Sequence, residues 1–566
     1  MAKHYAPQHQ VENSPSTSVV MDAEKVHVPE KVSAASVTIE SQYGDEIHER
    51  HGEHTKRVLN ARQVQLFSIG GTIGTSIFVA IGTALVHGGP LSLLLGYAFW
   101  CSVIFCVNEG QAEMVCLLPI ESSFNRFAAR WVDRAFGAAT SWNYWICMAA
   151  LLNFEVTAFT AVIGFWTDDV HPVVFPIAML VAYALLNLWS AKFFGETEFW
   201  ISLMKVILIT GLLIMTFFLM VGVNPQRDAF GFRYWRNPGP MAEYISTGDL
   251  GRFQGFFACV LSAGFAVAGP DMLSIIAGEA TAPRRIMPKA FRTVFVRLIL
   301  FFVLGSLAVG ILVPYNDPIL TAAIAEGQPG AARSPYVAAL TRLNVPVLPH
   351  IINAMILTSI FSAGNAFLFN GSRTLHGIAL DGFAPRFIRQ TNRNGVPWVA
   401  VTITLFIGCL SFLQVDASTS KVLDWFINVA TSAQLVTWIA MAITWIRWDA
   451  AMKAQGVSRD ILPYKSKFQP YGAYYALIMC TVITFFNGYY VFLKGGWATA
   501  DFIFAYGSVF IFLAVYIGVK VFGNSRFISS READLFGGKK EIDEYEAQLV
   551  DEPPTTRWQR ILRWLF

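Results

Sequence analysis

The longest uncharged stretch of the chain limits its fold more than any other sequence feature. Between Gln65 and Asn108 the sequence contains no aspartate, glutamate, lysine or arginine. One membrane-spanning helix needs roughly 20 apolar residues, so this stretch has room for two. Two glycines and a proline at His87-Gly88-Gly89-Pro90 mark the turn between them. The chain is therefore predicted to cross a membrane and return.

The rest of the sequence repeats this pattern. Of the 566 residues, 54% are hydrophobic and 14% are charged, which is typical of a protein surrounded by lipid. Long apolar runs bounded by glycine, proline or charged residues predict about twelve membrane helices. They cover residues 65–86, 91–117, 136–166, 173–190, 199–222, 252–278, 294–314, 350–374, 397–415, 423–446, 473–493 and 501–521. The predicted fold class is all-α and integral to the membrane.

The composition divides the chain into three parts. Residues 1–58 are polar and lack apolar periodicity, so we expect a disordered cytoplasmic N-terminal tail. Residues 59–525 form the twelve-helix domain. Residues 526–566 form a cytoplasmic C-terminal tail, in which tryptophan and leucine near the end alternate with arginine. That end is either an amphipathic helix at the membrane surface or an unstructured tail.

Basic residues predict the orientation, because lysine and arginine are retained on the cytoplasmic side. They cluster in the connections that follow the second, sixth, eighth and tenth spans, for example at Arg126, Arg130 and Arg134. The connection near residues 223–250 also contains three arginines and is an exception. We expect both termini to be cytoplasmic, since four connections outweigh one.

Several functional classes are disfavoured by the sequence. The net charge is only +3 and no basic run alternates with aromatic residues, which argues against nucleic-acid binding. The seven cysteines show no CxxC or CxxH spacing, so we interpret them as packing residues and not as metal ligands. No Gly-Lys-Ser/Thr phosphate-binding loop is present, which disfavours an ATP-driven pump.

Helix-breaking residues interrupt the first and sixth predicted spans. The first contains Gly70, Gly71 and Gly74, and the sixth contains Gly269-Pro270 directly before Asp271. Non-helical backbone is tolerated inside a bilayer only where it is buried in protein or lines a water-filled cavity. Glycines that let neighbouring helices pack closely are the alternative interpretation. Two breaks five spans apart are, however, typical of two inverted five-helix repeats around a binding site.

Such breaks suit one class of ligand. A half-helix that begins inside the membrane presents N–H groups and its positive dipole end to an anion, and unwound carbonyl groups accept hydrogen bonds from an ammonium group. Together they predict a site for the zwitterion of an amino acid. Polar side chains at Thr72, Thr75, Ser76 and Asp271 lie beside the breaks. Asp271 either holds the unwound backbone or binds the substrate amine.

Two further ionisable residues lie within predicted spans, where charge is costly and usually functional. Glu155, near the middle of the third span, has no basic residue within a turn or two. Burial favours its protonated form, so it is either a proton carrier or a structural hydrogen-bond donor. Lys205 lies about two turns into the fifth span and either reaches the membrane surface or points inward. Both are distant from the breaks in sequence, so we expect energy coupling to lie away from them.

From about Arg57 to its C-terminus the chain resembles the fungal amino-acid permeases of the amino acid–polyamine–cation superfamily. The motifs include Gly70-Gly71-Thr72-Ile73-Gly74-Thr75, Ala112-Glu113-Met114, Pro283-Arg284-Arg285 and Ser362-Ala363-Gly364-Asn365. The resemblance implies a leucine-transporter-like fold with two extra helices, and symport of amino acids with protons across the plasma membrane. It implies no cofactor besides the proton. The tails would meet lipid and cytoplasmic trafficking or ubiquitylation machinery.

The resemblance also implies individual roles. Residues of the first break would contact the substrate carboxylate, namely Thr72, Gly74, Thr75 and Ser76. The carbonyl groups of Ala266, Val267 and Ala268 would bind its amine, and Phe265 would be an aromatic gate. Glu155 corresponds to the third-helix acid of these permeases, and Lys205 to the fifth-helix lysine that replaces a sodium ion in bacterial relatives.

The sequence departs from the family pattern at two of these positions. Ser76 stands where the family usually has glycine, and Asp271 stands where it commonly has glutamate. Acidic and neutral amino acids, including proline, therefore stay open as substrates. A receptor with this fold, which would bind amino acids without accumulating them, is also open. An integral-membrane enzyme is disfavoured, because most of the ten histidines lie within the first 90 residues.

Overall fold

The structure, a computed structural model, describes residues 56–71, 73–167, 169–325, 334–415 and 419–549. Within these ranges every regular element is helical, apart from isolated backbone bridges between Leu59 and Ala280 and between Asp133 and Phe527. Ten helices there are long and apolar enough to cross a membrane, and a shorter apolar helix covers Val174–Trp189. The predicted all-α membrane fold is confirmed.

The first six spans include the two that are interrupted. The first span starts with helix Ala61–Gly70, and its second half runs into the second span within Ala80–Leu117, where the non-helical backbone of Gly89 separates the two. The third, fourth and fifth spans are Arg134–Ile163, Val174–Trp189 and Ala191–Met220. The sixth consists of Gly248–Ala266 and Pro270–Ile276.

Six more spans complete the domain. The seventh runs without interruption through Pro283–Arg297, Leu298–Val303 and Leu304–Leu312. The eighth is Leu348–Leu380, and the ninth joins Trp398–Gly408 to the 3₁₀ helix Cys409–Val415. The last three are Thr419–Ala454, Tyr471–Phe486 followed by the 3₁₀ helix Tyr489–Phe492, and Thr499–Phe522.

Several helices are longer than the sequence predicts. The seventh begins at Pro283 instead of residue 294, because its first turns are charged and lie before the apolar run. An apolar run marks only the part of a helix that faces lipid or the core. Short helices between and after the spans were also not predicted: Ser123–Trp131, Pro318–Ala325, Pro335–Arg342 and Lys539–Ala547.

Both helix breaks lie where the sequence predicts them. The first helix half ends at Gly70, a 3₁₀ turn covers Thr75–Ile77, and helix resumes at Ala80. In the sixth span, Gly269 has φ 145°, which residues with a side chain rarely adopt. Pro270 follows as the first residue of the second helix half, where its missing N–H leaves no helical hydrogen bond unmade.

Backbone hydrogen bonds join two residues before the first span to residues at the end of the sixth. The N–H groups of Val58 and Leu59 both donate to the carbonyl oxygen of Glu279, each over 2.9 Å, and the N–H of Thr281 donates to Leu59 over 2.9 Å. The C-terminal helix Lys539–Ala547 contacts the same connection, because the Tyr545 hydroxyl donates to the carbonyl oxygen of Thr281 over 2.9 Å.

Some sequence predictions fall outside the described residues. These are the structure of residues 1–55, the amphipathic end of the C-terminal tail at 550–566, and the position of Thr72. The division of the chain at residues 58 and 525 stays a prediction.

Candidate functional site

An internal cavity lies where the two helix breaks meet. Its lining comes from the first span, the third, the sixth, the eighth and the tenth: Gly71, Gly74, Ser76, Leu151, Phe154, Glu155, Phe265, Ala266, Ala268, Phe367, Ala430 and Gln434. Helices that are distant in sequence thus enclose one space, and both interruptions of the helical backbone open onto it.

Six of the predicted site residues line this cavity. Gly74 and Ser76 come from the first break, Phe265, Ala266 and Ala268 from the sixth span, and Glu155 from the third. Thr75, Val267 and Asp271 lie behind the described lining. They are buried, with exposures of 3%, 0% and 0%. The structure therefore separates residues that border the space from residues that hold its walls.

Asp271 holds the backbone of the sixth-span break. Its carboxylate accepts a hydrogen bond from the Tyr144 hydroxyl over 2.9 Å and one from the backbone N–H of Gly269 over 3.4 Å. Tyr144 belongs to the third span, so this contact also ties the break to a neighbouring helix. The sequence left two roles open for Asp271, holding the unwound backbone or binding the substrate amine. These contacts are those of a residue that holds the unwound backbone.

Glu155 is bound directly to the first break. Its carboxylate accepts a hydrogen bond from the Thr75 N–H over 3.3 Å and another from the Thr75 hydroxyl. The side chain is buried, with 2% exposure, and it also borders the cavity. The hydroxyl of Thr75 is therefore directed at Glu155 and is not presented to the cavity. One carboxylate touches both the unwound backbone and the space beside it.

Lys205 is bound to the other end of the same break. Its ammonium group, 1% exposed, donates to the carbonyl oxygen of Gly70 at the end of the first helix half. Of the two alternatives from the sequence, the inward-pointing one is correct. The expectation that Glu155 and Lys205 lie away from the breaks is wrong, because the packing of the third and fifth spans against the first brings both to it.

A second buried carboxylate accompanies Lys205. Glu198, on the same helix, is 0% exposed and accepts hydrogen bonds from Ser202 over 2.9 Å and from Ser362 over 2.5 Å. The electrostatic interaction of Lys205 with Glu198 is stronger than its interaction with Glu155. Glu198 was not among the site residues predicted from the sequence. Its seven-residue spacing from Lys205, which puts both on one helix face, was the available signal.

Apolar and aromatic side chains form most of the cavity wall. Phe265 packs edge-on against Phe154, with ring centroids 5.0 Å apart. Leu151 and Phe367 add apolar surface, and Gln434 supplies an amide from the tenth span. Gln434 was not among the residues predicted from the sequence. The polar group Thr431, Ser432 and Gln434 within an otherwise apolar run was the signal that could have identified it.

The described residues contain no group of three or more histidine, cysteine, aspartate or glutamate side chains arranged to hold a metal ion. Discontinuous membrane helices around a buried cavity are typical of secondary transporters. Within that class, the family model described as "Amino acid permease" matches residues 63–529. The chain belongs to the amino acid permease family.

Individual relatives are similar over most of their length. The chain is 42% identical to the general amino acid permease AGP2 of Saccharomyces cerevisiae, covering 86% of this chain and 82% of that protein. It is 39% identical to a proline-specific permease of Emericella nidulans, covering 91% and 94%. Among solved structures, a manganese transporter of Eremococcus coleocola is 13% identical, with a TM-score of 0.49 and coverage of 86% and 95%.

Proposed function

We propose that this permease is a proton-coupled symporter that imports an amino acid across the plasma membrane. The proposal is carried by Glu155, which borders the cavity and accepts two hydrogen bonds from the first helix break. A buried acid that contacts the substrate space can exchange a proton in step with substrate binding. No cofactor besides the proton is required.

Recognition of the substrate uses the backbone of both breaks. The first break, at Gly74 and Ser76, lies before the helix half that resumes at Ala80, so its N–H groups and dipole suit the substrate carboxylate. Carbonyl groups from Ala266 to Ala268 suit the ammonium group. Thr75, Val267 and Asp271 serve this site as wall residues, and Thr72 stays a proposed contact of the carboxylate.

We propose small neutral amino acids as the substrate class. The cavity wall is largely apolar, through Leu151, Phe154, Phe265 and Phe367, which favours an uncharged side chain over a cationic one. Names of relatives support this choice in part, because one of them is a proline-specific permease. Phe265 stands at the cavity as the aromatic gate, and Ser76 adds a hydroxyl beside the carboxylate site.

Energy coupling is assigned to Glu155 and Lys205. Loading of Glu155 with a proton would accompany substrate binding, and Lys205 would keep the first break in place through Gly70. The moving step is rocking of a four-helix bundle, which contains both broken spans, against the remaining helices. The distribution of lysine and arginine favours a cytoplasmic position for both termini, where trafficking or ubiquitylation machinery would act on the tails.

Proteoliposomes containing the purified protein test the proposal. An inward proton gradient should drive accumulation of an amino acid, and competition with the twenty standard amino acids should identify small neutral ones as substrates. Glu155→Gln should abolish accumulation. The control is Glu243→Gln, which changes an acid that is partly exposed and 3.8 Å from Arg252. Uptake that is unaffected by the gradient would contradict symport, and binding without uptake would indicate a receptor.

A further inference from the structure

A group of buried charges surrounds the residue at which the first helix half ends. Lys205 donates to the carbonyl oxygen of Gly70. Oε1 of Glu198 also lies close to Gly70, so that a methyl group on the Gly70 α-carbon would collide with it. Gly70 thus contacts an ammonium group and a carboxylate of the fifth span that are seven residues apart on one helix face.

The charges of this group do not balance. Lys205 supplies one positive charge, and the carboxylates whose charges act on it are those of Glu198 and Glu155. Full ionisation of the three would leave one uncompensated negative charge inside the protein, which is strongly unfavourable. Charge balance is restored when the two carboxylates together hold one proton, so they behave as a coupled pair and not as independent acids.

Glu198 has unused hydrogen-bonding capacity. Ser202 and Ser362 both donate to Oε1, whereas Oε2 is buried and has no donor within the part of the chain described here. The amide of Asn365 faces the carboxylate, but its Nδ2 does not reach hydrogen-bonding geometry. A purely structural carboxylate would be expected to have both oxygens satisfied.

The position of Glu198 along its helix indicates which side of the membrane is nearer to Oε2. Glu198 precedes Lys205 by about two turns, or roughly 10 Å, towards the helix start at Ala191. Near that start, Glu196 is about two-fifths exposed and pairs with Arg62 over 2.8 Å. Under the proposed orientation this is the cytoplasmic end. Glu198 therefore lies between Glu155, the acid that borders the cavity, and the cytoplasmic surface.

We propose that Glu198 is the second proton-binding residue of the transport cycle, taking the proton from Glu155 across Lys205 and releasing it towards the cytoplasm. No bond other than the one to the proton changes: Glu155 becomes a carboxylate as Glu198 becomes an acid, and Lys205 stays protonated as the counter-ion. Release from Glu198 then leaves both carboxylates ionised, and the unfavourable net negative charge of that state favours loading of Glu155 with the next proton. The inference rests on the proposed proton symport.

The surroundings of Glu198 contain few other titratable groups. Lys205 faces it from its own helix, and Glu155 interacts from the third span through the shared lysine. Tyr183 of the fourth span faces both carboxylates. The eighth span contributes the hydroxyl of Ser362 and the amide of Asn365, and the first contributes the glycine backbone. The exchangeable proton of this cluster is therefore shared between Glu155 and Glu198, with Lys205 as their counter-ion.

The test compares two activities of the full-length protein in liposomes. One is accumulation driven by an inward proton gradient, and the other is exchange of labelled for unlabelled amino acid at equal pH on both sides. Glu198→Gln resembles the protonated acid but cannot release a proton. We expect it to exchange substrate near the wild-type rate while its accumulation is lost. Glu196→Gln, two residues earlier and partly exposed, should keep both activities.

Outcomes separate this inference from the function on which it rests. If the wild type itself does not accumulate substrate in response to protons, proton symport and the role of Glu198 both fail. If the wild type accumulates substrate and Glu198→Gln does so equally well, only the role of Glu198 is overturned. A folded Glu198→Gln protein that loses exchange as well as accumulation would show a positioning role and would also overturn it.

A second variant covers the case in which Glu198→Gln does not fold. The double substitution of Ser202→Ala and Ser362→Ala keeps the carboxylate but removes both hydrogen bonds that stabilise its ionised form. Proton release would then require a higher internal pH, and the midpoint of accumulation against internal pH should rise by about one unit. An unchanged midpoint would overturn the proposal.

Discussion

The ammonium group of Lys205 donates to the carbonyl oxygen of Gly70, although the two residues are 135 positions apart in the chain. Gly70 is the last residue of the first helix half, and its carbonyl oxygen has no helical partner further along the chain. A cation at the C-terminal end of a helix also interacts favourably with the helix dipole. Lys205 therefore does for this break what a capping group does for an ordinary helix end.

Gly70→Ala should destabilise the protein. An added methyl group would collide with Oε1 of Glu198 and with Oγ of Ser202, and displacing them would disturb the buried charges. We expect a loss of about 1–3 kcal/mol and a lower temperature of thermal unfolding in detergent. Gly211→Ala, on the fifth span with nothing within 4 Å of the new methyl group, should unfold at the wild-type temperature or slightly above it. Equal unfolding temperatures for both variants would contradict the packing described.

Phe265→Ala should widen the range of substrates. Its ring forms part of the cavity wall against Phe154, so truncation adds space for a larger side chain. Competition by leucine and phenylalanine should improve relative to proline or alanine by roughly tenfold or more, as expected for a few carbon atoms in an apolar pocket. Phe253→Ala alters an exposed residue of the same helix and should leave the order of competitors unchanged. The same order in Phe265→Ala would place the selectivity elsewhere.

Asp133→Asn should show a pH-dependent loss of stability. Burial alone would raise the pKa of Asp133, but hydrogen bonds from Lys520, Ser525 and the N–H of Ala135 outweigh it and lower the pKa. Because the pKa is lower in the folded state, the ionised carboxylate stabilises the protein at any pH above the ordinary pKa of aspartate. This contribution disappears as the pH falls through the pKa of the folded state. The unfolding temperature of Asp133→Asn should thus be lower near neutral pH and approach that of the wild type in acid.

The comparison for Asp133 is Asp249→Asn. The Asp249 side chain is 99% exposed, so its replacement should change the unfolding temperature little at any pH. A constant difference between Asp133→Asn and the wild type across the pH range would show that ionisation of Asp133 does not contribute to stability.

Asp543→Asn should loosen the C-terminal helix Lys539–Ala547. Asp543 pairs with Arg284 and accepts from Lys539 over 2.8 Å, while Glu546 accepts from the backbone N–H of Arg284 over 2.8 Å. Amide hydrogen exchange in the helix should increase a few fold, because the ion pairs are only partly buried. Glu544→Gln, an acid on the same helix that is 63% exposed, should leave exchange unchanged. Equal protection in both variants would mean that Asp543 does not anchor the helix.

The sequence was sufficient to predict the spans and the breaks, because each depends on local composition. Charge-free runs give the membrane helices, and Gly70, Gly269 and Pro270 interrupt the helix through properties of their own backbone. Helix ends were less well predicted, as at Pro283, since charged turns beyond the membrane leave no mark in an apolar run.

The relations between spans could not be predicted in this way. Glu155 and Thr75 are 80 positions apart, and their hydrogen bond exists because the third span packs beside the first. The same applies to Gln434, which reaches the cavity from the tenth span. Spacing within one helix can be calculated from the sequence, whereas the identity of the neighbouring helix depends on packing of the whole domain. For this reason Glu155 and Lys205 were expected to lie away from the helix breaks, whereas both contact the first break.

The backbone bonds between residues 58–59 and 279–281 have a mechanical consequence for the two broken spans. They join the start of one to the end of the other with three N–H donors over 2.9 Å each. Two spans that are hydrogen-bonded to each other at the same end cannot move independently without breaking those bonds. While these bonds persist, a displacement of the first span is transmitted to the sixth, and the two helix breaks that line the cavity move together.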